Sequence, residues 1–170
     1  SWSRGLGDVY KRQELAGQTT KLLNGKPIEP GKMPAQIAFN AIPQIDTFQD
    51  NGYTREEMKM AWETCKILQD DSIVVNATCV RIPVFYGHSE AVHIETREPI
   101  SVEDVRRLLT KAPGVALMED HELATPVEHG AGTDSVFISR LRKDISHPNG
   151  LNMWVVADNV RKGAALNSVH

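Results

Sequence analysis

The clearest periodic pattern in the sequence is that of an α-helix with one apolar face. The stripe consists of residues three or four positions apart: Met58, Ala61, Trp62, Cys65 and Leu68. Thr54 stands just before this stripe and Glu57 lies three residues after Thr54, which is the spacing of a capping box. The pattern therefore predicts a helix that begins after Thr54 and buries one stripe.

Three further helices follow from shorter patterns. The first begins at Glu14, carries leucines at helical spacing and ends at Gly25. The second begins at Ser101, just before an apolar face, and runs to Lys111. The third begins at Asn159 and reaches the last residue without a stop signal, which is typical of a truncated protein.

Six segments alternate in polarity or are rich in β-branched residues, and each predicts a β-strand. They are residues 36–43, 72–84, 91–96, 114–119, 135–144 and 151–158. The last two flank the sequence His-Pro-Asn-Gly, so we expect them to pair as an antiparallel hairpin. Strands outnumber helices and occur in such pairs. The predicted class is therefore α+β, with a mixed, largely antiparallel sheet and helices packed on one face.

The first thirteen residues, SWSRGLGDVYKRQ, do not share the pattern of the rest. They are rich in glycine and arginine and show no hydrophobic period, whereas helical periodicity begins at Glu14. We interpret residues 1–13 as a foreign or mis-assembled leader that lies outside the fold.

Composition narrows the class of protein. The chain has 170 residues, of which 41% are hydrophobic, and this is enough for the core of one ordinary domain. The net charge of −3 argues against a polybasic surface for nucleic acid or for an anionic membrane. Apolar runs are too short to span a bilayer and no secretion signal is evident, so we expect a cytoplasmic protein. The two cysteines, Cys65 and Cys79, are expected to be reduced.

Arg81 is the first candidate for binding chemistry. In the predicted strand its side chain shares a face with Cys79 and Pro83. A guanidinium is a planar fork suited to a carboxylate or a phosphate, and on a half-buried strand it needs such a partner. An internal salt bridge to an Asp or Glu is the alternative, and spacing alone leaves it open.

His88 is the candidate for proton transfer. It follows Gly87, where the strand pattern breaks, and such a corner can present an imidazole to a cleft. Histidine titrates near neutral pH, which suits a general acid or base. A histidine that hydrogen-bonds within a turn is the alternative. We reject a metal site because the spacing of His88, Glu90 and His93 matches no usual ligand pattern.

Glu56 and Lys59 are three residues apart in the first turn of the capped helix, so they are neighbours on one face. The N-terminus of a helix favours anions, so the lysine there could help to hold a phosphate. The carboxylate could take a substrate ammonium group. An ordinary solvated ion pair is the alternative.

The two cysteines are weak candidates for a nucleophile. Cys79 shares a face with Arg81, but in mid-strand it is expected to behave as a small buried apolar residue. Cys65 lies on the helical stripe and is assigned to the core. The sequence also lacks a G-x-G-x-x-G or Walker loop, so it contains no nucleotide phosphate cradle.

Three separated motifs occur together: GYTREEMKMAWETCKIL, SIVVNATCVRIPVFYGHSEAVHIET and MWVVADNVRKGAALN. In this order and spacing they resemble the C-terminal part of aspartate-semialdehyde dehydrogenase, from about Glu14 to the end of the chain. The resemblance implies a C-terminal domain like that of glyceraldehyde-3-phosphate dehydrogenase. It places a substrate-binding and dimerisation domain at residues 14–157. At residues 158–170 it places the start of a helix that returns to an NADP-binding domain.

The family reduces L-aspartyl-4-phosphate with NADPH to L-aspartate 4-semialdehyde, through a cysteine thioester, and releases phosphate. This is the branch-point step toward lysine (through diaminopimelate), methionine, threonine and isoleucine. The resemblance therefore implies a cytoplasmic, NADP-dependent oxidoreductase with a small-molecule substrate, which forms homodimers or homotetramers and binds neither nucleic acid nor membrane.

The resemblance also implies roles for five residues whose positions match the family's motifs. Arg81 is similar to the arginine that binds the substrate α-carboxylate, and His88 to the general acid/base. Glu56 is similar to the glutamate that contacts the substrate amino group, and Lys59 matches the lysine that binds phosphate. Asn159 falls at a position that contacts NADP. The family's nucleophilic cysteine, in an Asn-Cys motif, has no counterpart here, so the chain alone is expected to be inactive.

Two other interpretations remain. One is a non-catalytic homologue that serves as a dimerisation module, because family members without the active cysteine also resemble the enzyme. The other is a different acyl-phosphate reductase of the superfamily, such as the glyceraldehyde-phosphate or acetylglutamyl-phosphate enzymes. The strings RIPVFYGHSE and YTREEMKM argue against the second. Apolar surface for dimerisation is expected at SVFISRL and MWVVA.

Overall fold

The computed structural model describes residues 2–29, 31–159 and 161. The chain divides into two compact units, Ser1–Phe85 and Tyr86–His170. The first unit contains two long helices joined by extended and looped segments, and the second is built on a four-stranded sheet.

The first unit begins with helix α1, Trp2–Leu23. This helix is longer than predicted, because it begins at Trp2 rather than at Glu14. Where the helix begins does not test whether residues 1–13 are foreign, so their foreign origin stays a prediction.

A side chain of α1 replaces the strand that was predicted at residues 36–43. The side-chain oxygen of Gln18 accepts the backbone N–H groups of Ile37, at 2.9 Å, and Ala38, at 3.2 Å. Once a side chain has taken these donors, they are not available to a strand ladder, so the strand prediction is wrong. The segment is instead held by a small core, which consists of Leu15, Ile37, Ala38 and Ile42.

Helix α2, Arg55–Leu68, begins as predicted. The hydroxyl of Thr54 accepts the N–H of Glu57 at 3.3 Å, and the Glu57 carboxylate accepts the N–H of Thr54 at 2.7 Å, so the capping box is confirmed. The prediction that the whole apolar stripe is buried is wrong. Trp62 is 56% exposed and Leu68 is 60% exposed.

Residues 72–84 do not form the predicted regular strand. Among them Arg81 pairs with Ile42 in an isolated antiparallel bridge. β-Branched residues favour an extended backbone, but a strand also needs a partner strand. Here the N–H of Cys79 is taken instead by the side chain of Glu57.

The second unit contains β1 (His88–Glu95), α3 (Val102–Lys111), β2 (Val115–Leu117), β3 (Val136–Lys143) and β4 (Gly150–Ala157). The strand order is β1-β4-β3-β2, with β4 antiparallel to both β1 and β3 and with β2 parallel to β3. The predicted α+β class and the β3–β4 hairpin are confirmed. β1 begins earlier than the predicted segment 91–96, and β2 is shorter than the predicted segment 114–119.

Helix α3 packs against one face of this sheet. It starts as predicted, because the hydroxyl of Ser101 accepts the N–H of Asp104 at 3.0 Å. Val105 is buried against Leu141 of β3 and Leu151 of β4. The core of the second unit therefore lies between α3 and the two central strands.

A single π-helical turn, Pro126–Gly130, lies within the predicted loop 125–134. It packs closely on β4, because a Cβ atom added at Gly130 would lie 3.0 Å from the side chain of Val156. The carboxylate of Asp158 accepts the N–H of Gly132 at 2.9 Å and fastens this loop to the end of β4. The helix predicted from Asn159 falls largely outside the described residues.

Candidate functional site

Glu56 and Lys59 form an ion pair in the first turn of α2, with 3.0 Å between the lysine Nζ and the glutamate Oε2. Their side chains are 39% and 35% exposed. Both ends therefore remain open to solvent, and the pair can exchange its internal contact for the opposite charges of a ligand. This observation fits the predicted ligand role and also the alternative of a solvated ion pair.

The backbone of Arg81 is fixed, whereas its side chain is not paired with any described residue. Its N–H donates to the carbonyl of Ile42 at 2.8 Å, and its carbonyl accepts the N–H of Ile42 at 2.9 Å. Arg81 is half-buried, and within the described part of the chain its guanidinium makes no hydrogen bond or ion pair. The internal salt bridge considered as the alternative is thus not found among these residues.

A pocket of about 430 Å³ opens beside Arg81 within the first unit. Its lining comprises Tyr10, Lys11, Glu14, Lys32, Met33, Pro34, Gln44, Asp46 and Arg81. The Glu14 carboxylate is already engaged, because it accepts the N–H of Lys32 at 2.9 Å and the side-chain amide of Gln18 at 3.0 Å. Arg81 is therefore a half-buried cation at a space large enough for a small anion.

A buried carboxylate binds the backbone two residues before Arg81. Glu57 is 8% exposed, and its Oε1 accepts the N–H of Cys79 at 2.8 Å. Hydrogen bonds from the backbone N–H groups of Thr54 and Cys79 hold the pKa of the Glu57 carboxyl below its ordinary value of 4.5. Glu57 is ionised at neutral pH, and its negative charge is directed at two backbone donors.

The thiol of Cys79 lies 3.6 Å from the sulfur of Met60 and is half-buried. The thiol of Cys65 donates to the carbonyl of Ile73 at 3.2 Å. Both cysteines are half-buried and belong to neither hydrophobic core, so the prediction that they are buried core residues is wrong.

His88 is the first residue of β1 and lies opposite Ala157, the last residue of β4. Gly87 precedes it with a φ of 75°, and a Cβ atom there would lie 3.1 Å from the carbonyl oxygen of Ala157. The His88 side chain is exposed and makes no hydrogen bond to any described residue. The alternative of a histidine bonded within its turn is not observed in this part of the chain.

Asn159 lies two residues beyond Ala157, the partner of His88, and is half-buried in a turn. Asp158, just before it, is 9% exposed and holds the loop that contains Gly132. His88 and Asn159 thus belong to the same end of the sheet in the second unit.

The structure brings some of the predicted residues together. Glu56 and Lys59 form one pair, and Arg81 belongs to the same unit; His88 and Asn159 belong to the second unit. The convergence of Arg81 and His88 on one substrate stays a prediction.

Two features of the structure were not predicted. One is the bond of Glu57 to Cys79, although the capping box had already placed Glu57 at the start of a helix. The other is a polar cluster between the strands, in which the His93 Nδ1 lies 2.9 Å from the Asp144 carboxylate. The sequence carries no local signal for it, because its members are brought together only by the pairing of β1, β4 and β3.

Neither a metal site nor a membrane span is found in the described residues. No group of three or more His, Cys, Asp or Glu side chains among them is placed to bind a metal ion. No helix in the described ranges is both long enough and apolar enough to cross a bilayer.

Residues 10–162 match the family model described as "Semialdehyde dehydrogenase, dimerisation domain". The chain belongs to this family. An aspartate-semialdehyde dehydrogenase from Shewanella sp. (strain DB6705) is 63% identical over 157 residues, which are 92% of this chain and 46% of that protein. The predicted resemblance to aspartate-semialdehyde dehydrogenases is thereby confirmed, and the chain spans about half the length of the curated relatives it matches.

Solved structures agree with this family assignment. The crystal structure of aspartate-semialdehyde dehydrogenase II from Vibrio cholerae complexed with ASA is 60% identical, with a TM-score of 0.91 over 93% of this chain and 47% of that one. The Candida albicans aspartate-semialdehyde dehydrogenase with NADP is 22% identical, with a TM-score of 0.59 over 88% of this chain and 51% of that one, and so shares the fold alone.

Proposed function

We propose that this semialdehyde dehydrogenase chain supplies the substrate-binding and dimerisation part of an aspartate-semialdehyde dehydrogenase. The reaction is the NADPH-dependent reductive dephosphorylation of L-aspartyl-4-phosphate to L-aspartate 4-semialdehyde. The observation that carries the proposal is the Arg81 guanidinium, which is half-buried on a fixed backbone and unpaired among the described residues. Such a cation is available to bind a ligand anion without first breaking an ion pair to a described residue.

The charges of the first unit match those of the substrate. The α-carboxylate is assigned to the fork of Arg81, which can bind it in a bidentate way. The substrate ammonium group is assigned to Glu56, and the phosphoryl group to Lys59 near the N-terminus of α2. Binding both ends of so small a molecule places its acyl carbon between them, which lowers the entropic cost of the reaction.

His88 is proposed as the general acid/base. Its imidazole is exposed and unbonded within the described residues, so it can both accept and release a proton. A thiolate attacks the acyl carbon, and the carbon–oxygen bond to phosphate breaks. Reduction of the resulting thioester would leave an oxyanion that can be protonated; once that proton is removed again, the oxyanion collapses to the aldehyde as the carbon–sulfur bond breaks and the thiolate leaves. We assign to His88 the protons that move on and off oxygen at these stages.

The thiolate is proposed to come from a cysteine outside residues 1–170. Cys65 donates to a backbone carbonyl and Cys79 lies against the Met60 sulfur, so neither is placed as an activated nucleophile. The relatives are about twice as long as the matched region, which is consistent with a nucleophile from another part of the protein.

NADP is the proposed cofactor, and its reduced form, NADPH, would supply the hydride when bound. Asn159 fits a single contact to it, because its amide lies in a turn at the end of β4 and can donate a hydrogen bond. The sequence has no glycine-rich phosphate cradle, so most of the cofactor site is assigned to the part of the protein outside this chain.

The family assignment also supports proposals about location, oligomeric state and biosynthetic role. We propose a cytoplasmic homodimer or homotetramer that acts in the biosynthesis of lysine and diaminopimelate, methionine, threonine and isoleucine. The family model is a dimerisation domain, which supports self-association through this chain.

An assay of NADP reduction tests the proposal. The full-length protein that contains this chain should reduce NADP when given L-aspartate 4-semialdehyde, and only in the presence of phosphate. The purified 170-residue chain should show no such activity. A full-length protein that dimerises but turns over no semialdehyde would favour the non-catalytic dimerisation module instead.

A further inference from the structure

Glu57 and its neighbour Glu56 have different environments. Glu56 is 39% exposed at its side chain, whereas Glu57 is 8% exposed and gives both of its carboxylate oxygens to backbone donors. One oxygen accepts the N–H of Thr54 at 2.7 Å and the other accepts the N–H of Cys79 at 2.8 Å. A capping box requires only the first bond. The second bond joins residues that are 22 positions apart.

These two bonds connect the elements that carry the predicted substrate ligands of the first unit. Thr54 is the N-cap of α2, whose first turn bears Glu56 and Lys59. Cys79 lies two residues before Arg81. A single carboxylate therefore ties the helix start to the extended segment just ahead of the guanidinium.

The segment before Arg81 is held by bonds of different kinds. Its described ties besides the Glu57 bond include the hydrogen bond of the Tyr53 hydroxyl to the Asn76 side chain, at 3.0 Å, and the bridge of Arg81 to Ile42. The Tyr53 bond is exposed, whereas the Glu57 bond is partly buried and involves an ionised acceptor. Charge-assisted bonds of this kind are the stronger ones, so the Glu57 bond is a strong constraint on the backbone of residue 79.

We propose that Glu57 is a positioning residue for substrate binding, which sets the place of the Arg81 guanidinium relative to Glu56 and Lys59. This inference rests on the proposed function, because it concerns the same substrate. A carboxylate is required, since both partners are N–H donors. A glutamine would turn an NH₂ group toward one of them and leave that N–H without an acceptor.

The test is a double-substitution experiment in the full-length protein. Glu57→Gln is made alone and together with Arg81→Lys, and the KM for the semialdehyde is measured. We expect Glu57→Gln alone to raise KM by roughly ten- to a hundredfold with a smaller change in kcat, the scale of a misplaced ligand. In the Arg81→Lys protein, whose fork is already lost, the same change should raise KM by less than about twofold.

Two further variants make the outcome decisive. Glu63→Gln, on the exposed side of α2, is the matched control and should leave KM unchanged. Cys79→Pro removes the donor instead of the acceptor, and it should reproduce the rise in KM even if Glu57→Gln fails to fold. An equal loss of activity in both Arg81 backgrounds, with KM unchanged, would mean that Glu57 only stabilises the fold and would overturn the inference. If Arg81→Lys itself left KM unchanged, the proposed function would fail first.

Discussion

Arg81 and Ile42 exchange two backbone hydrogen bonds, of 2.8 and 2.9 Å, whereas the guanidinium of Arg81 bonds to no described residue. The bridge fixes the start of the side chain and leaves its charged end available. Binding of a carboxylate therefore requires no further ordering of this backbone, although the rotamers of the arginine side chain still become fixed. The arrangement is therefore suited to a small anionic ligand.

His88→Asn should lower kcat of the full-length protein by roughly two to four orders of magnitude, the usual contribution of a general acid or base. Asparagine keeps a polar side chain at the first position of β1 but cannot exchange a proton near neutral pH. Steady-state rates of semialdehyde oxidation measure the effect.

His121→Asn is the matched control for His88. His121 is exposed, has a φ of 72° and makes no hydrogen bond to a described residue, and asparagine tolerates this backbone conformation. Its kcat should equal that of the unaltered protein. Normal turnover in His88→Asn would remove His88 from the mechanism.

Lys59→Gln should raise the KM for phosphate by roughly tenfold, because a charged partner of the anion is replaced by a neutral one. The KM for the semialdehyde should change less. Lys66→Gln, which lies at the exposed last turn of the same helix, controls for the loss of one positive charge. Equal phosphate KM values in the two variants would contradict the assignment of Lys59.

The polar cluster around His93 predicts a pH dependence of stability. The hydrogen bond to Glu95, with smaller effects of Asn152 and Asp144, raises the pKa of His93 above its ordinary 6.5. Hydrogen bonds from Ser146, Asn152 and His147 lower the pKa of Asp144 below its ordinary 3.8. A raised histidine pKa stabilises the fold fully below pH 6.5, and this stability is lost as pH rises through the folded value.

The lowered pKa of the Asp144 carboxyl has the opposite effect on how stability depends on pH. Its contribution is present above pH 3.8 and is lost as pH falls toward the folded value. Between pH 3.8 and pH 6.5 both contributions are therefore present. Urea unfolding of the chain and of its His93→Asn variant should differ most in this window and less at alkaline pH. Because His93 is 42% exposed, added salt should reduce the difference. A difference that grew with rising pH would contradict the account.

Local sequence signals predicted the parts of the fold that local bonds determine. The capping box of Thr54 and Glu57, the Ser101 cap and the β3–β4 hairpin depend on residues that are near in sequence, and all three are confirmed. The strand predicted at residues 72–84 is wrong because β-branched composition predicts only an extended backbone. Its hydrogen-bond partner, the Glu57 carboxylate, comes from a helix that precedes it.

In the candidate site too, contacts between residues near in sequence could be predicted and contacts between distant residues could not. The pairing of Glu56 with Lys59 follows from helical spacing, which the sequence shows directly. That the guanidinium of Arg81 has no partner among the described residues could not be predicted, because this depends on whether any acidic side chain reaches it in three dimensions. Glu14, which lines the same pocket, is engaged with Lys32 and Gln18 instead.

The most direct test of the account is the effect of Arg81→Lys on semialdehyde oxidation by the full-length protein. Lysine keeps the charge but loses the bidentate fork, so kcat/KM should fall by at least about tenfold, chiefly through a higher KM. Arg107→Lys, at a 65% exposed position on α3, should leave both constants unchanged. If Arg81→Lys also left kcat/KM unchanged, Arg81 would not bind the substrate carboxylate.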